Sequence, residues 1–130
     1  MRIQIIGILS LLLFALAFAG VTSAQGISKR VKFAKGKSSA TLSGSVVRGD
    51  RDTYIVGARA GQKMSVKISS LEKNAVFQIQ DARDGKYLKN AGETDDQTNW
   101  SGTLPDDGDY KIIVGGTRGN ASYKLSVAIR

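Results

Sequence analysis

The sequence contains neither cysteine nor histidine, and these two absences exclude most catalytic and metal-binding chemistry. Without a thiol or an imidazole, the chain has no cysteine- or histidine-based nucleophile system and lacks the usual ligands of zinc and copper. Disulfides are excluded as well, so any folded domain must be stabilised by its hydrophobic core alone. We therefore predict that the chain is not an enzyme and that it has no catalytic residues, metal site or cofactor.

Carboxylates are the remaining candidates for chemistry, and they form two clusters, at 93–96 and at 106–109. Paired carboxylates can act as the acid and base of a glycosidase, and oxygen-rich clusters can bind calcium. Neither cluster has the spacing of a calcium loop. In the second cluster, Pro105 and Gly108 flank the aspartates, so the simpler interpretation is turn formation. A calcium-stabilised structural domain remains an alternative hypothesis.

Long hydrophobic runs are absent except at the N-terminus, where Arg2 precedes an apolar stretch from Ile5 to Ala19. Small residues and Thr22-Ser23-Ala24 come next, which is the pattern of a secretory signal peptide and its cleavage site. An uncleaved membrane anchor is the alternative, because the run approaches the ~17 residues that span a bilayer. We predict a signal peptide at residues 1–24 and one periplasmic or secreted domain at 25–130, without membrane association after cleavage.

Positive charge dominates the chain after the leader. Removing Arg2 leaves 18 basic against 11 acidic residues, a balance of +7. Such a balance favours an acidic partner. The basic residues are not interleaved with aromatic residues as in nucleic-acid platforms, so nucleic acid is not a predicted partner.

Apolar and polar residues alternate along most of the chain after the leader, and no segment shows a helical period. Period-2 alternation is typical of half-buried strands. The predicted strands number seven or eight, and they lie near 27–37, 39–47, 52–58, 62–69, 75–80, 100–104, 110–114 and 123–129. This series favours an antiparallel β-sandwich, with a small closed barrel as the competing architecture. The stretch 81–97 is predicted to be irregular, with one short strand at 86–89.

Turn residues between these strands give more local expectations. Pro105-Asp106-Asp107-Gly108 predicts a β-hairpin, and Gly44 within its strand predicts a bulge. The aromatic residues Tyr54, Tyr110 and Tyr123 fall at apolar strand positions, which predicts core rings with hydroxyls at the edge of the core. Trp100 is interpreted as a core or rim residue, with a sugar-stacking platform as the alternative, and Tyr87 is predicted to be free to bind.

Several motifs occur in the order found in a known family. These are Val31 to Ala40, Asp52-Thr53-Tyr54, Ala60-Gly61-Gln62-Lys63, Leu104-Pro105-x-x-Gly108-x-Tyr110 and Thr117-Arg118. In this order the chain resembles the periplasmic inhibitors of g-type lysozyme over nearly all of its length after the leader. Individual motifs also resemble the bacterial pre-peptidase C-terminal (PPC) β-sandwich domains.

The resemblance implies a secreted, monomeric β-sandwich that blocks g-type lysozyme with a loop between its two C-terminal strands. The loop residues would be Thr117, Arg118, Asn120 and Ser122, where Ser122 occupies the position of a second arginine in the family. Supporting contacts are predicted at Ser101, Gly102 and Tyr87. The alternative function is a PPC-like module that binds peptidoglycan, another glycan or a protein without inhibiting an enzyme.

Residue chemistry leads to a compatible expectation for Arg118. A muramidase cleft must carry carboxylates to protonate the glycosidic oxygen. A guanidinium on a glycine-rich loop can make a charge-assisted and bidentate contact with such a carboxylate. The alternative is that Arg118 is an exposed loop residue without a binding role.

Overall fold

A computed structural model describes residues 26–130, and the predicted signal peptide at 1–24 lies outside this range. Eight strands are present: β1 (Ser28–Arg30), β2 (Ser39–Val46), β3 (Arg51–Ala58), β4 (Lys63–Ser70), β5 (Ala75–Asp81), β6 (Asn99–Thr103), β7 (Gly108–Gly116) and β8 (Ala121–Ile129). Between residues 26 and 130, no helix has the length and apolar content needed to cross a membrane. The alternation of apolar and polar residues placed seven of these strands correctly to within a few residues, whereas the strand predicted within 27–37 is only three residues long.

The strands form two four-stranded sheets, a first sheet with the order β1-β3-β7-β5 and a second sheet with the order β2-β8-β4-β6. Every pairing is antiparallel except that of β1 with β3, which is parallel. The predicted β-sandwich is confirmed. Because the strands form two separate sheets, the alternative architecture, a closed barrel, is excluded.

Successive strands alternate strictly between the two sheets, so no strand pairs with its neighbour in sequence. The predicted hairpin at Pro105–Gly108 is therefore wrong, because β6 pairs with β4 in the second sheet while β7 lies in the first. The turn residues encode a reversal of the chain, but they do not encode which sheet receives the next strand. The Tyr110 hydroxyl stabilises this turn, since it donates to the Asp106 carbonyl at 2.6 Å and accepts from the Asp106 N–H.

Inward-facing side chains of both sheets fill one core, as the burial along β8 illustrates, where Tyr123, Leu125 and Val127 are buried and the residues between them are exposed or half-buried. The largest fully buried side chains are those of Tyr54, Tyr110, Phe77, Met64, Ile79 and Leu104. Because the chain has no disulfide, burial of this apolar surface is the main source of stability.

A hydrogen-bonded polar cluster lies inside the core and includes the buried carboxylate of Asp52. The Tyr123 hydroxyl donates to Asp52 Oδ2 at 2.6 Å and lies 2.7 Å from the Tyr54 hydroxyl, while Asp52 Oδ1 accepts the Ile27 N–H at 3.0 Å. Burial, together with the hydrogen bonds to Asp52 and Tyr54, raises the pKa of Tyr123 well above its ordinary value. The core positions predicted for the tyrosine rings are confirmed, but the Tyr54 and Tyr123 hydroxyls lie inside the core.

Gly44 does not form the predicted bulge, because the pairing of β2 with β8 continues without interruption through Gly44 and Tyr123. A Cβ atom at Gly44 would lie 2.5 Å from the Tyr123 hydroxyl oxygen. The glycine therefore provides space for the tyrosine side chain of the neighbouring strand rather than a kink in its own strand.

The segment 82–98 is irregular, as predicted, but it contains no strand at 86–89, where only Tyr87 bridges to Gln80. Its backbone covers the outer edge of β5, since the Leu88 N–H donates to the Ile79 carbonyl at 2.9 Å and the Ile79 N–H donates to Ala91 at 3.0 Å. The Trp100 indole N–H donates to the Lys89 carbonyl at 2.9 Å and the residue is nearly buried, which confirms its interpretation as a core or rim residue. This edge is therefore closed to pairing with another chain.

Candidate functional site

Three turns meet at one end of the sandwich, which we call the loop end. They are 47–50, 71–74 and 117–120, and each connects one sheet to the other. The strand register brings them together, because β2 and β4 both end beside the start of β8, and β3 and β5 both start beside the end of β7. The loop that the sequence singled out therefore lies between two supporting turns.

The loop 117–120 is held by hydrogen bonds to both neighbouring turns. The Arg118 guanidinium, which is exposed, donates to the Glu72 carbonyl at 2.7 Å, and Asn120 Oδ1 accepts the Arg48 N–H at 2.8 Å. At the base of the loop, a Cβ atom on Gly116 would lie 2.8 Å from the Gly119 carbonyl oxygen, so only glycine permits this close approach. Gly119 itself has a φ of 63°, a left-handed conformation that favours glycine.

Asn74 holds the base of the loop 117–120, a role that was not predicted from the sequence. The residue is only 2% exposed, and its side-chain amide Nδ2 donates to the Arg118 carbonyl at 3.1 Å and to the Asn120 carbonyl at 2.9 Å. Its own carbonyl accepts the Thr117 N–H at 2.9 Å. One buried residue thus fixes three of the four loop residues, which no local pattern in the sequence indicated.

We expect Asn74→Ala to lower the free energy of unfolding by about 1–3 kcal/mol, because the loop loses two hydrogen bonds from the buried Asn74 amide, each of which contributes about 0.5–1.5 kcal/mol. The loop should also become mobile and bind its partner more weakly. Urea denaturation and a lysozyme inhibition assay measure the two effects, with the exposed strand amide Asn99→Ala as the control. Full inhibition by a destabilised Asn74→Ala variant would contradict a positioning role.

Exposed apolar side chains are concentrated at the loop end. Among residues 26–130, the large apolar side chains classed as exposed are Ile27 at 50%, Val47 at 55% and Leu71 at 100%. Val47 and Leu71 begin the two supporting turns, and the Ile27 carbonyl accepts the Thr53 N–H near the start of β3. Apolar residues grouped in this way around a cationic loop are typical of a surface that binds another molecule.

Ser122 is not part of the loop. It lies in β8 with its side chain on the outer face of the second sheet, where its hydroxyl is 3.0 Å from that of Ser45. Ser122 follows the loop closely in sequence, but its side chain projects outward from the sheet face and not from the loop end.

Ser101 and Gly102 lie away from the loop, in β6, opposite Ser65 and Met64 of β4. The end of β4 nearest the loop is Ser70, five residues beyond Ser65. At about 3.3 Å per residue, Ser101 is therefore about 16 Å along the strand direction from the loop end. The structure does not bring these two residues together with Arg118.

Tyr87 is not free, contrary to the sequence-based prediction. Its hydroxyl donates to Glu93 Oε1 at 2.8 Å, and the residue bridges to Gln80 in the backbone. The hydrogen bond to the Glu93 carboxylate is the main reason why the pKa of Tyr87 is raised. The residue stabilises the connection that covers the edge of β5.

The aspartates at 106–109 have structural partners at the end opposite the loop. Asp106 pairs with Arg83 at 2.8 Å, Asp107 accepts the Ala60 N–H at 2.7 Å, and Asp109 pairs with Arg30 at 2.7 Å. The hydrogen bond from Arg30 lowers the pKa of Asp109. In the described part of the chain, no group of three or more acidic side chains is arranged to hold a metal ion. These contacts agree with the interpretation that the aspartates at 106–109 have a structural role in and around a turn.

Comparison with known proteins bears directly on this site. An inhibitor of g-type lysozyme from Escherichia coli strain K12 is 35% identical over an alignment of 130 positions. The alignment covers 93% of this chain and 94% of that protein. The chain belongs to the family of g-type lysozyme inhibitors. This membership confirms the resemblance found in the sequence, and it supports the prediction that the chain is not an enzyme.

Solved structures of the g-type lysozyme inhibitors share the fold. The periplasmic inhibitor from Aeromonas hydrophila is 32% identical and matches with a TM-score of 0.69 over 83% of this chain and 100% of that one. The inhibitor from Salmonella Typhimurium is 31% identical, with a TM-score of 0.63 over 82% of this chain and all of its own. No family model matches the chain.

The PPC likeness extends to the fold alone. The pre-peptidase C-terminal domain of a Bacillus anthracis collagenase matches with a TM-score of 0.59 at 17% identity, over 82% of this chain and 99% of that one. The β-sandwich of this chain therefore also occurs as a C-terminal domain of a collagenase.

Proposed function

We propose that this chain is a periplasmic inhibitor of g-type lysozyme and that it blocks the substrate cleft of the enzyme with the loop 117–120. The observation that carries the proposal is the exposed Arg118 guanidinium on a loop held by Asn74 and by both neighbouring turns. Family membership supports the target, and the geometry of the loop supports the mechanism.

The chemistry of the cleft explains why an arginine is suited to this position. In the free protein the Arg118 guanidinium donates to a neutral carbonyl, that of Glu72, at the surface. In the cleft it would exchange this neutral partner for a carboxylate, which adds the attraction between opposite charges and can accept two hydrogen bonds from the guanidinium. Because the loop is already ordered, binding would cost little additional conformational entropy.

The residues around Arg118 would have different roles. Val47 and Leu71 are exposed beside the loop and would pack on the rim of the cleft, where they would exclude water from the arginine contact. Asn120 uses its side chain to hold the Arg48 N–H, so it would act by shaping the loop. Thr117, which is exposed, would contact the enzyme directly. Val47 and Leu71 would thus supply the supporting contacts that the sequence assigned to Ser101, Gly102 and Tyr87.

The functional unit we propose is a secreted monomer that comprises residues 25–130 after removal of the leader. Two features of the first sheet support a monomer. The edge strand β5 is covered by the segment 82–98, and the edge strand β1 has only three residues. Neither edge of this sheet offers a long free strand for pairing with a second copy.

A cell-wall lysis assay tests the proposal. Residues 25–130 would be titrated against g-, c- and i-type lysozymes. We expect selective loss of lysis by the g-type enzyme. Binding to insoluble peptidoglycan without any effect on lysis would instead favour the alternative, a binding module of the PPC kind. A melting temperature that falls on addition of a chelator would favour the calcium-stabilised domain.

A further inference from the structure

The outer face of the second sheet has an unusual composition. Apart from Ala128, the side chains that point outward from β2, β8, β4 and β6 are serines, threonines, Asn99 and the three lysines Lys63, Lys67 and Lys124. No aspartate or glutamate lies on this face. The outer face of the first sheet differs, because Asp109 lies there and pairs with Arg30.

The hydroxyl groups on this face are arranged in pairs across the strands. Thr41 Oγ1 lies 3.3 Å from Ser126 Oγ, and Ser45 Oγ lies 3.0 Å from Ser122 Oγ. A groove of about 730 Å³ crosses the part of the face nearest the loop end, where its lining includes Ser43, Ser69, Leu71, Ser122 and Lys124. The strands of this face thus offer many hydrogen-bonding groups and a positive charge on an ordered support, while the groove itself exposes mostly apolar surface.

The composition of the outer face of the second sheet favours some classes of partner over others. Protein interfaces are depleted in serine and lysine and enriched in aromatic residues and arginine, which this face lacks. A membrane surface is bound through several apolar anchors, whereas this face has Ala128 and, in the lining of its groove, the exposed Leu71. Nucleic-acid strands are bound by aromatic stacking, and no aromatic side chain points outward from these four strands. Sugar hydroxyls can both donate to and accept from serine and threonine hydroxyls. The three lysines take part in none of the ion pairs found between residues 26 and 130, which favours a negatively charged ligand.

We propose that the outer face of the second sheet binds an anionic polysaccharide, with its chain lying in the groove and across the lysines. This binding does not depend on the lysozyme-blocking loop. It would hold the protein at a negatively charged glycan of the cell envelope, beside the wall that a lysozyme attacks.

Dextran sulfate and uncharged dextran are suitable probes, because they share one backbone and differ in charge. We expect residues 25–130 to bind dextran sulfate and not dextran at about 50 mM salt, and the affinity should fall as salt is added. The face variant Lys63→Gln/Lys67→Gln/Lys124→Gln should bind at least about tenfold more weakly.

A control variant with the same change in net charge separates the face from the overall charge. Lys29→Gln/Lys86→Gln/Lys111→Gln removes three charges elsewhere on the surface, and we expect it to lose less than about threefold in affinity. Equal losses in the two variants would overturn the proposal, since binding would then reflect net charge only. Equal binding of uncharged dextran, or preferential binding of phosphatidylglycerol vesicles, would also overturn it.

The proposed roles of the loop and of the sheet face can be tested independently of each other. Both lysine variants should still inhibit g-type lysozyme, and Arg118→Ala should still bind dextran sulfate with unchanged affinity. Urea denaturation of each variant would confirm that these surface substitutions leave the fold intact. Loss of dextran sulfate binding in Arg118→Ala would show that the loop, rather than the sheet face, carries the site.

Discussion

Arg118→Ala is expected to weaken inhibition of g-type lysozyme by about thirtyfold to several thousandfold, which corresponds to roughly 2–5 kcal/mol for truncation of one partner of a buried charge pair. In the free protein the guanidinium is exposed and makes one hydrogen bond, to the Glu72 carbonyl. Its removal should therefore leave the free energy of unfolding almost unchanged. A lysis assay with increasing inhibitor gives the inhibition constant of each variant.

Two further variants show what the arginine contributes. Arg59→Ala removes an exposed arginine from the turn at the opposite end of the sandwich, and inhibition should be unaffected. Arg118→Lys keeps the charge but loses the planar, bidentate geometry, so we expect an intermediate affinity. Inhibition by Arg118→Ala at the level of the unmodified protein would exclude this residue as the inserted group.

Asp52→Ala is expected to have the largest effect on stability, a loss of about 2–5 kcal/mol in the free energy of unfolding. The substitution removes the acceptor of two hydrogen bonds, those from the Tyr123 hydroxyl and from the Ile27 N–H. A buried donor left without a partner costs about 1–3 kcal/mol. The Tyr123 hydroxyl lies in the core, whereas the Ile27 N–H is only partly buried and contributes at the lower end of this range. Urea denaturation at neutral pH measures the change.

A double-mutant cycle tests whether this loss comes from the cluster. Asp52→Ala and Tyr123→Phe remove the two sides of one hydrogen bond, so their combined effect should be smaller than the sum by about 0.5–3 kcal/mol. Asp50→Ala, two residues earlier in the turn, should cost less than about 0.5 kcal/mol. Fully additive effects of Asp52→Ala and Tyr123→Phe would mean that the hydrogen bond contributes nothing.

Strand positions could be predicted from the sequence because burial of one face of a strand requires an apolar residue at every second position. Both β4, where Met64, Val66 and Ile68 face inward, and β8 show this alternation. The loop 117–120 was found for the same reason, since glycines and Arg118 interrupt two clear strands.

The partners of the strands could not be predicted, since pairing is a non-local property. A turn such as Pro105–Gly108 has the same residues whether it joins two strands of one sheet or crosses between sheets, and here it crosses. The role of Gly44 depends on Tyr123, and the role of Asn74 depends on the carbonyls of Arg118 and Asn120. Val47 and Leu71 are likewise ordinary residues in the sequence, and only the fold places them beside the loop.

The parallel strand β1 determines where a tether can be attached. Because Ile27 is bound to Asp52 and Thr53 at the start of β3, the first described residue, Gly26, lies beside the loop end. The C-terminal Arg130 is bound to Lys63 at the opposite end. A purification tag or display partner fused ahead of β1 would crowd Arg118, whereas one fused after Arg130 would leave the loop accessible.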